Sequence, residues 1–478
     1  MHLSKIELRR PAAASVSYTV TAAVGKAVAF ATLPFFTARL GAAAYGRYAL
    51  YLCYEGLLFS VLSLGLGGAA IYRALQRYRG EENRLLSSAF GLTLALSLIA
   101  LPIAVPLLLG KLSPLFTVLL CLQVLGSVAF TLYGARCRYT YRYRPICILN
   151  LISEICAPLV SILLLLALPI GEEARILAGA AVAVALGVFS LFSILRSGYK
   201  LFDKSILRFL LSLQLPLLPH YLSLAFMAEA ARLSVERVLG SEALGAYAVA
   251  HSVGLCLSLI TASLGGAFQP WVLRKAAAGE HTRVAETAER ITLLLCTLSL
   301  LPILAAPEIF SILAPRAYAG GTAAVPALCF TVPLSFLSTV PILAKLGEER
   351  RLAISLPSLA AALSQLLLCP YLTTRHGLSG AAIGTLISYF LFFLLHALTL
   401  KKTQKKIINV NKSFLFCLAF SFIGISATVL YPHFPIRLLL IFLYLLASAL
   451  QLMLLKSCLL EPKITQSHPR AGKLKKAQ

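Results

Sequence analysis

The stretch Arg39-Leu-Gly-Ala-Ala-Ala-Tyr-Gly-Arg-Tyr-Ala49 returns 199 residues later as Val238-Leu-Gly-Ser-Glu-Ala-Leu-Gly-Ala-Tyr-Ala248, with six of eleven positions identical. Two further matches follow in the same order. Leu66-Gly-Gly-Ala69 recurs as Leu264-Gly-Gly-Ala267 at an offset of 198, and Leu101-Pro-Ile103 as Leu301-Pro-Ile303 at an offset of 200. Short matches of Leu and Ala are cheap in an apolar chain, but three in order at nearly one offset mark an internal repeat.

The repeat lies in a chain of unusual composition. Its 478 residues are 59% apolar and only 13% charged, with a mean hydropathy of +0.85. An ordinary soluble chain is about half apolar and a quarter charged. That excludes a cytosolic enzyme and a disordered scaffold. The net charge of +25 comes from 43 Lys and Arg against 18 Asp and Glu. Those cations fall in short bursts between apolar stretches rather than in one basic face, which argues against a nucleic-acid partner. The 11 Cys include no C-x-x-C pair and read as small buried hydrophobes. The basic Met1 to Arg10 precedes an apolar stretch too long for a signal peptide, so a retained first span is expected.

A membrane helix needs roughly 20 apolar residues. Fourteen candidates are found, at 13–36, 48–71, 86–109, 113–134, 146–169, 175–195, 210–232, 245–271, 291–313, 321–344, 352–372, 378–399, 413–431 and 436–455. With the N-terminus inside, alternate connecting segments hold 33 of the 43 basic residues, the opposite segments hold nine, and Lys26 alone lies mid-span. Every inside segment has three or more cations and every outside one two or fewer, which predicts both termini in the cytoplasm. The expected fold is all-α and polytopic, with 14 transmembrane helices. The offset maps span 1 onto span 7, so two six-helix lobes, 1–200 and 201–400, are expected in parallel pseudo-two-fold relation around a cavity. Helices 13 and 14 (401–459) stand outside the repeat, and 460–478 is expected to be a disordered basic tail. The connections at 196–209 and 272–290 are long enough for amphipathic helices. No G-x-x-x-x-G-K-[ST] loop is present to power an ATP-driven exporter.

Ionisable groups within spans are costly and usually face a bundle interior or a wet cavity. Lys26 is the deepest, and Glu55 is its candidate protein partner. Glu154 lies about two turns into span 5, while Glu229, Arg232 and Glu236 share one face of span 7 with Arg237 beside them. Arg39, Arg237 and Glu242 read equally well as interfacial helix caps, and Glu229 with Arg232 as a local ion pair or a substrate contact. For Lys26 a function is favoured, because an amine that deep needs a carboxylate or an anionic ligand. His220, His251 and His396 read as satisfied core residues with no grouping for a metal.

The run from Gly25 through Ala38-Arg39-Leu40-Gly41 to Tyr45-Gly46-Arg47-Tyr48 resembles the opening of bacterial polysaccharide flippases of the multidrug/oligosaccharidyl-lipid/polysaccharide (MOP) exporter superfamily. Glu236-Arg237-Val238-Leu239-Gly240 with Gly245-Ala246-Tyr247 is similar to that family's Asp-Arg…Leu-Gly…Gly-x-Tyr signature, with Glu236 in place of Asp. Pro307-Glu308-Ile309 followed by Ala314-Pro315 and Tyr318 is similar to its span 9 ending. The resemblance implies a carrier, not an enzyme, and no cofactor. It would move an undecaprenyl-diphosphate-linked oligosaccharide from the cytoplasmic to the outer leaflet of the bacterial inner membrane, for O-antigen, capsule or a similar glycan. Lys26, Arg39, Arg232 and Arg237 would serve the anionic substrate. Glu55, Glu154, Glu229 and Glu236 would serve charge pairing or a coupling ion, a proton or sodium. The expected partners are the substrate, membrane lipids and glycan assembly enzymes, around a monomer. The alternatives are a lipid II flippase for peptidoglycan, whose relatives usually show several arginines in the first two spans, and multidrug-type efflux, whose members tend to twelve spans and acidic cavities.

The charge alternation has a direct check. Reporter fusions after Lys111, Arg375 and Arg437 are expected to be active only outside the cytoplasm, and fusions after Arg208 and Arg351 only inside it. The reverse pattern at any of these positions breaks the alternation.

Overall fold

The computed structural model describes residues 5–459 apart from 67–68, 197–199, 349 and 402–405, and side chains over 16–449 with 69–70, 265–267 and 447–448 also left out. Gly67 and Gly68 of the second repeat match and the basic tail 460–478 lie outside the described residues. The described chain is α-helical, in the order α1 (Lys5–Ser63), α2 (Ala69–Arg77), α3 (Glu82–Leu109), α4 (Pro114–Tyr139), α5 (Tyr143–Ala167), α6 (Glu173–Leu195), α7 (Lys204–Gln214) and α8 (Leu218–Leu255). There follow α9 (Ser258–Ala277), α10 (His281–Leu304), α11 (Ala306–Leu313), α12 (Val325–Gly347), α13 (Leu352–Leu398), α14 (Val410–Ser426) and α15 (Phe434–Leu459). Ten stretches of the described residues are long and apolar enough to cross a membrane. Their outward faces carry large apolar side chains such as Leu98 (78% exposed) and Leu367 (72%), which suits lipid and not water.

Spans expected to be separate are joined. The sequence places a connection at 37–47, yet α1 runs on as helix to either side of Gly41, which alone leaves helical geometry (φ 74°, ψ 169°). Gly240, its counterpart in the repeat, does the same inside α8 (φ 85°, ψ 178°). A left-handed φ is open to glycine at no steric cost and expensive for residues with a Cβ, so each Leu-Gly pair turns the chain without unwinding it. A third bend, at Gly377, divides α13. The expected amphipathic connection near 196–209 is partly met by α7, begun by Asp203, whose carboxylate accepts from the Ser205 backbone N–H at 3.0 Å. Hydrogen bonds from Ser205 and then Arg84 hold the Asp203 carboxyl well below the usual range. The region 272–290 instead divides between the end of α9 and the start of α10.

The two bends meet. A Cβ on Gly46 would stand 1.8 Å from the Ser241 carbonyl oxygen, and one on Gly245 would stand 2.1 Å from that of Ala42. Gly46 corresponds to Gly245 at the repeat offset, and Ala42 to Ser241, so the contact is reciprocal. Around this corner Thr37 donates its hydroxyl to Leu313 O at 2.7 Å, and Tyr318 donates to Thr37 O at 3.1 Å. Tyr318 also stands edge-on to Tyr45, with centroids 6.2 Å apart. At the far end of the second half of α1, Gly65 takes a left-handed turn against the Tyr221 ring of α8.

Replacing Gly46 or Gly245 by Ala forces a methyl into a neighbouring backbone. Each change is expected to destabilise the protein by about 1–3 kcal/mol or more, lowering the detergent Tm by several degrees. Gly179→Ala, which meets nothing within 4 Å, is the matched change expected to leave Tm in place. Equal Tm values for all three would show that the corner is not tightly packed.

Candidate functional site

Several ionisable groups of the interior lie on α1 and α8. Glu229 and Arg232, one helical turn apart on α8, form an ion pair with side chains 11% and 13% exposed. The pair borders a cavity of about 220 Å³, also lined by Tyr247, His251, Thr331 and Tyr389. Glu229 reaches across to α1. Its Oε1 would stand 3.2 Å from a Cβ on Gly56 of α1, and the Cys53 thiol donates to its carboxylate. The Nε of Arg232 is buried with no hydrogen-bond partner. A buried guanidinium with one free donor can hold a ligand oxygen while its other edge is balanced by Glu229.

Lys26, on the first half of α1, is exposed and has no ion pair among the described residues. Glu55 is not its partner. Gln123 of α4 donates its amide to Glu55 and accepts from Tyr51 Oη at 2.9 Å, which satisfies the carboxylate inside its own lobe. Glu55 also borders a second cavity, of about 360 Å³, with Ser127, Thr131 and Ser153. The acid beside the first half of α1 is Glu154, whose Cγ would lie 2.9 Å from a Cβ on Gly25. The structure therefore brings Glu229, Arg232 and His251 to one cavity, while Lys26 lies on the first half of α1. Glu154 lies beside that half and Glu55 faces a separate cavity.

Arg39, Arg237 and Glu236 sit at the bends. Arg39 and Arg237 are exposed. Glu236 accepts from the Ser241 hydroxyl at 2.8 Å across the Gly240 bend, while its Oε2 is buried without a partner. Close by, Arg47 forms an ion pair with Glu172, and the Arg175 guanidinium lies 3.9 Å from the Phe36 centroid and 4.3 Å from that of Tyr48. Linear order marks Arg175 only as a charge of a connecting segment and Arg47 also as part of the Tyr45-Gly46-Arg47-Tyr48 motif, although the aromatic run in α1 and the nearby Glu172 and Glu173 are visible.

Two further polar groups escaped it. Lys345, counted as a cytoplasmic loop charge, is fully buried at the end of α12. It donates to Thr399 Oγ1 at 2.6 Å, to Ala353 O at 3.1 Å and to His396 Nδ1 at 3.1 Å. His396 Nε2 then meets Ser358 Oγ at 3.0 Å, and Ser358 meets His220 Nδ1 at 2.6 Å. With Ser358 donating to Ile354 O at 2.9 Å, both histidines donate to the serine oxygen. His220 and His396 are thus hydrogen-bonded core groups, as expected. Arg437, 3% exposed, grips Glu308 through two contacts of 2.6 Å and ties α15 to α11. Hydrogen bonding to Arg437 holds the Glu308 carboxyl below its ordinary range. The described residues contain no group of three or more metal-ligating side chains, and the described cysteines are free.

Removing one partner of the buried pair isolates the other. Arg232→Ala is expected to cost about 3–5 kcal/mol, read as a lower Tm. Arg232→Met with Glu229→Gln should recover most of it. Equal losses for single and double variants would mean the two side chains are not coupled.

No protein-family model matches the chain, and no curated protein matches it. Solved structures do. The lipid II flippase MurJ in an inward closed conformation superposes with a TM-score of 0.64 at 14% identity, over 91% of this chain and 98% of that one. A MOP superfamily transporter from Pyrococcus furiosus, described as having a binding pocket of reverse polarity, gives 0.59 at 14% identity over 89% and 99%. An outward-facing multidrug resistance MATE family transporter gives 0.57 at 14% identity over 86% and 97%. Over most of its length, the chain has the polytopic all-α fold of these solved structures.

Proposed function

We propose that this protein is an alternating-access flippase for a polyprenyl-diphosphate-linked glycan, with lipid II-type substrates ahead of O-antigen or capsule units. The observation that carries the reading is the pair of cations Lys26 and Arg232. Lys26 has no acidic partner among the described residues, and Arg232 keeps a buried, unused Nε. A diphosphate supplies the anionic oxygens that such groups lack in a low-dielectric site. Glu229 balances Arg232 in the absence of substrate and is the candidate to take up a proton or sodium ion when substrate binds. Arg39 and Arg237 are assigned to the outer rim. Glu236 tunes the bend beside them, and Glu154 and Glu55 pair charge within the first lobe. The likeness to MurJ favours lipid II over O-antigen, whose support is the sequence resemblance alone.

The proposed architecture has fourteen spans in two six-helix lobes, 1–200 and 201–400, followed by helices 13 and 14 in 401–459. Dividing three of the ten apolar stretches at Gly41, Gly240 and Gly377 and adding α15 yields that number. The reciprocal contact at Gly46 and Gly245 supports a pseudo-two-fold axis through the corner. The charge alternation supports an inner-membrane protein with both termini cytoplasmic, and with it the Gly41 and Gly240 corner lies on the outer side.

Multidrug-type efflux is the second reading, favoured by the likeness to MATE structures. A transbilayer assay in proteoliposomes separates the two. Movement of lipid II, lost at least tenfold in Lys26→Ala or Arg232→Gln, is the expected result. Movement of an undecaprenyl-diphosphate O-unit with no lipid II activity would shift the glycan and keep the mechanism. Export of an amphipathic cation with no movement of any lipid-linked glycan would overturn the proposal.

A further inference from the structure

A further concavity lies away from the cavity beside Arg232. It is an open vestibule of about 1230 Å³ at the end of the first lobe, between the start of α3 and the ends of α4 and α6. Five cations line it, with Glu81 and Glu82. Three of those cations are already engaged. Arg84 contacts Glu81 at 2.7 Å and bonds Asp203 through Nε at 3.1 Å, Lys200 stands 3.5 Å from Asp203, and Arg136 bonds Asn83. Glu82 accepts from the Gly80 backbone N–H at 3.0 Å. Arg142 and Arg196 are exposed and make no ion pair among the described residues. Two guanidinium forks thus face one cavity without a carboxylate each.

Beside Arg196 the lining is apolar. Phe189 and Phe192, 48% and 66% exposed, stand on the last turns of α6, a helix of membrane-spanning length. Aromatic rings on an outward face at a helix end belong at the boundary of hydrocarbon and headgroup. A ligand in the vestibule would meet both planar cationic forks and lipid-level aromatic surface. A free phosphate or a nucleic acid uses only the first half of that arrangement.

We propose that this vestibule binds an anionic phospholipid, its phosphate held by Arg142 and Arg196 and its acyl chains leaving over Phe189 and Phe192. Basic pockets between membrane helices on the cytoplasmic side take anionic headgroups through the same chemistry. The site is separate from Lys26 and Arg232 and does not rest on the transported substrate. Bound lipid would brace the ends of α4 and α6 against α3, in the lobe whose cytoplasmic corner is also fastened by Arg84 and Asp203.

The test uses the full-length protein, delipidated in detergent and titrated with phosphatidylglycerol or with phosphatidylcholine of the same acyl chains, with bound lipid counted by native mass spectrometry. Wild type is expected to prefer phosphatidylglycerol. Arg142→Gln with Arg196→Gln should weaken that binding by about 10- to 30-fold, and Ser193→Trp should lower it by filling the vestibule with the charges intact. Arg375→Gln, outside the vestibule, should bind like wild type. Inorganic pyrophosphate, added alone, identifies the other source of the same chemistry. Binding of pyrophosphate lost in the double variant, with no preference between the two lipids, would overturn the proposal in favour of a soluble phosphate site. An undiminished preference for phosphatidylglycerol in both the double variant and Ser193→Trp would overturn it outright.

Discussion

Two bent helices touching at their bends set the geometry of this molecule. At Gly46 and Gly245 the backbones of α1 and α8 approach until a single methyl group would stand within 2.1 Å of a carbonyl oxygen. In a bilayer no hydrophobic force draws helices together, because lipid tails are as apolar as Leu, so close packing and interhelical polar contacts must do it. Small residues allow the approach, and Thr37, Leu313 and Tyr318 add hydrogen bonds around it. Away from this corner the second half of α1 stays against the first half of α8, at Gly56 with Glu229 and at Gly65 with Tyr221.

Charge is distributed according to what the low dielectric allows. Where an ion is fully enclosed, it is paired or hydrogen-bonded. Arg437 has Glu308, and Lys345 has His396, Thr399 and a carbonyl. Arg232 and Arg437 each keep a buried Nε without a partner, but of the two only Arg232 lines the cavity beside Tyr247 and His251.

Much of the fold is legible in the chain because the determining signals are long. Twenty-residue apolar runs such as 86–109 and 175–195 correspond to α3 and α6 within a few residues. The repeat also marks both bends, since Leu40-Gly41 and Leu239-Gly240 are the turning points, although hydropathy alone suggests loops there. Of the site, the Glu229 and Arg232 pair follows from helical spacing. The partner of Glu55 does not, because Gln123 lies on another helix and nothing in linear order joins them. Lys345 lies in the last turn of α12, and linear order does not show that Thr399 and His396 enclose it there. Local periodicity specifies which residues share a helix face. The neighbour that face meets is fixed by tertiary packing.

The central proposal is that α1 and α8 close and open in turn at the two membrane faces, with the Gly46 and Gly245 corner closed in this structure. Spin-label distances in lipid nanodiscs test it most directly, with one label pair at Thr140 and Leu352 and another at Lys111 and Arg375, all exposed positions at opposite ends of the two lobes. The account predicts that each pair samples two distances and that adding lipid-linked substrate shifts the pairs in opposite directions, one closing as the other opens. A single unchanging distance at both pairs, with and without substrate, would contradict it.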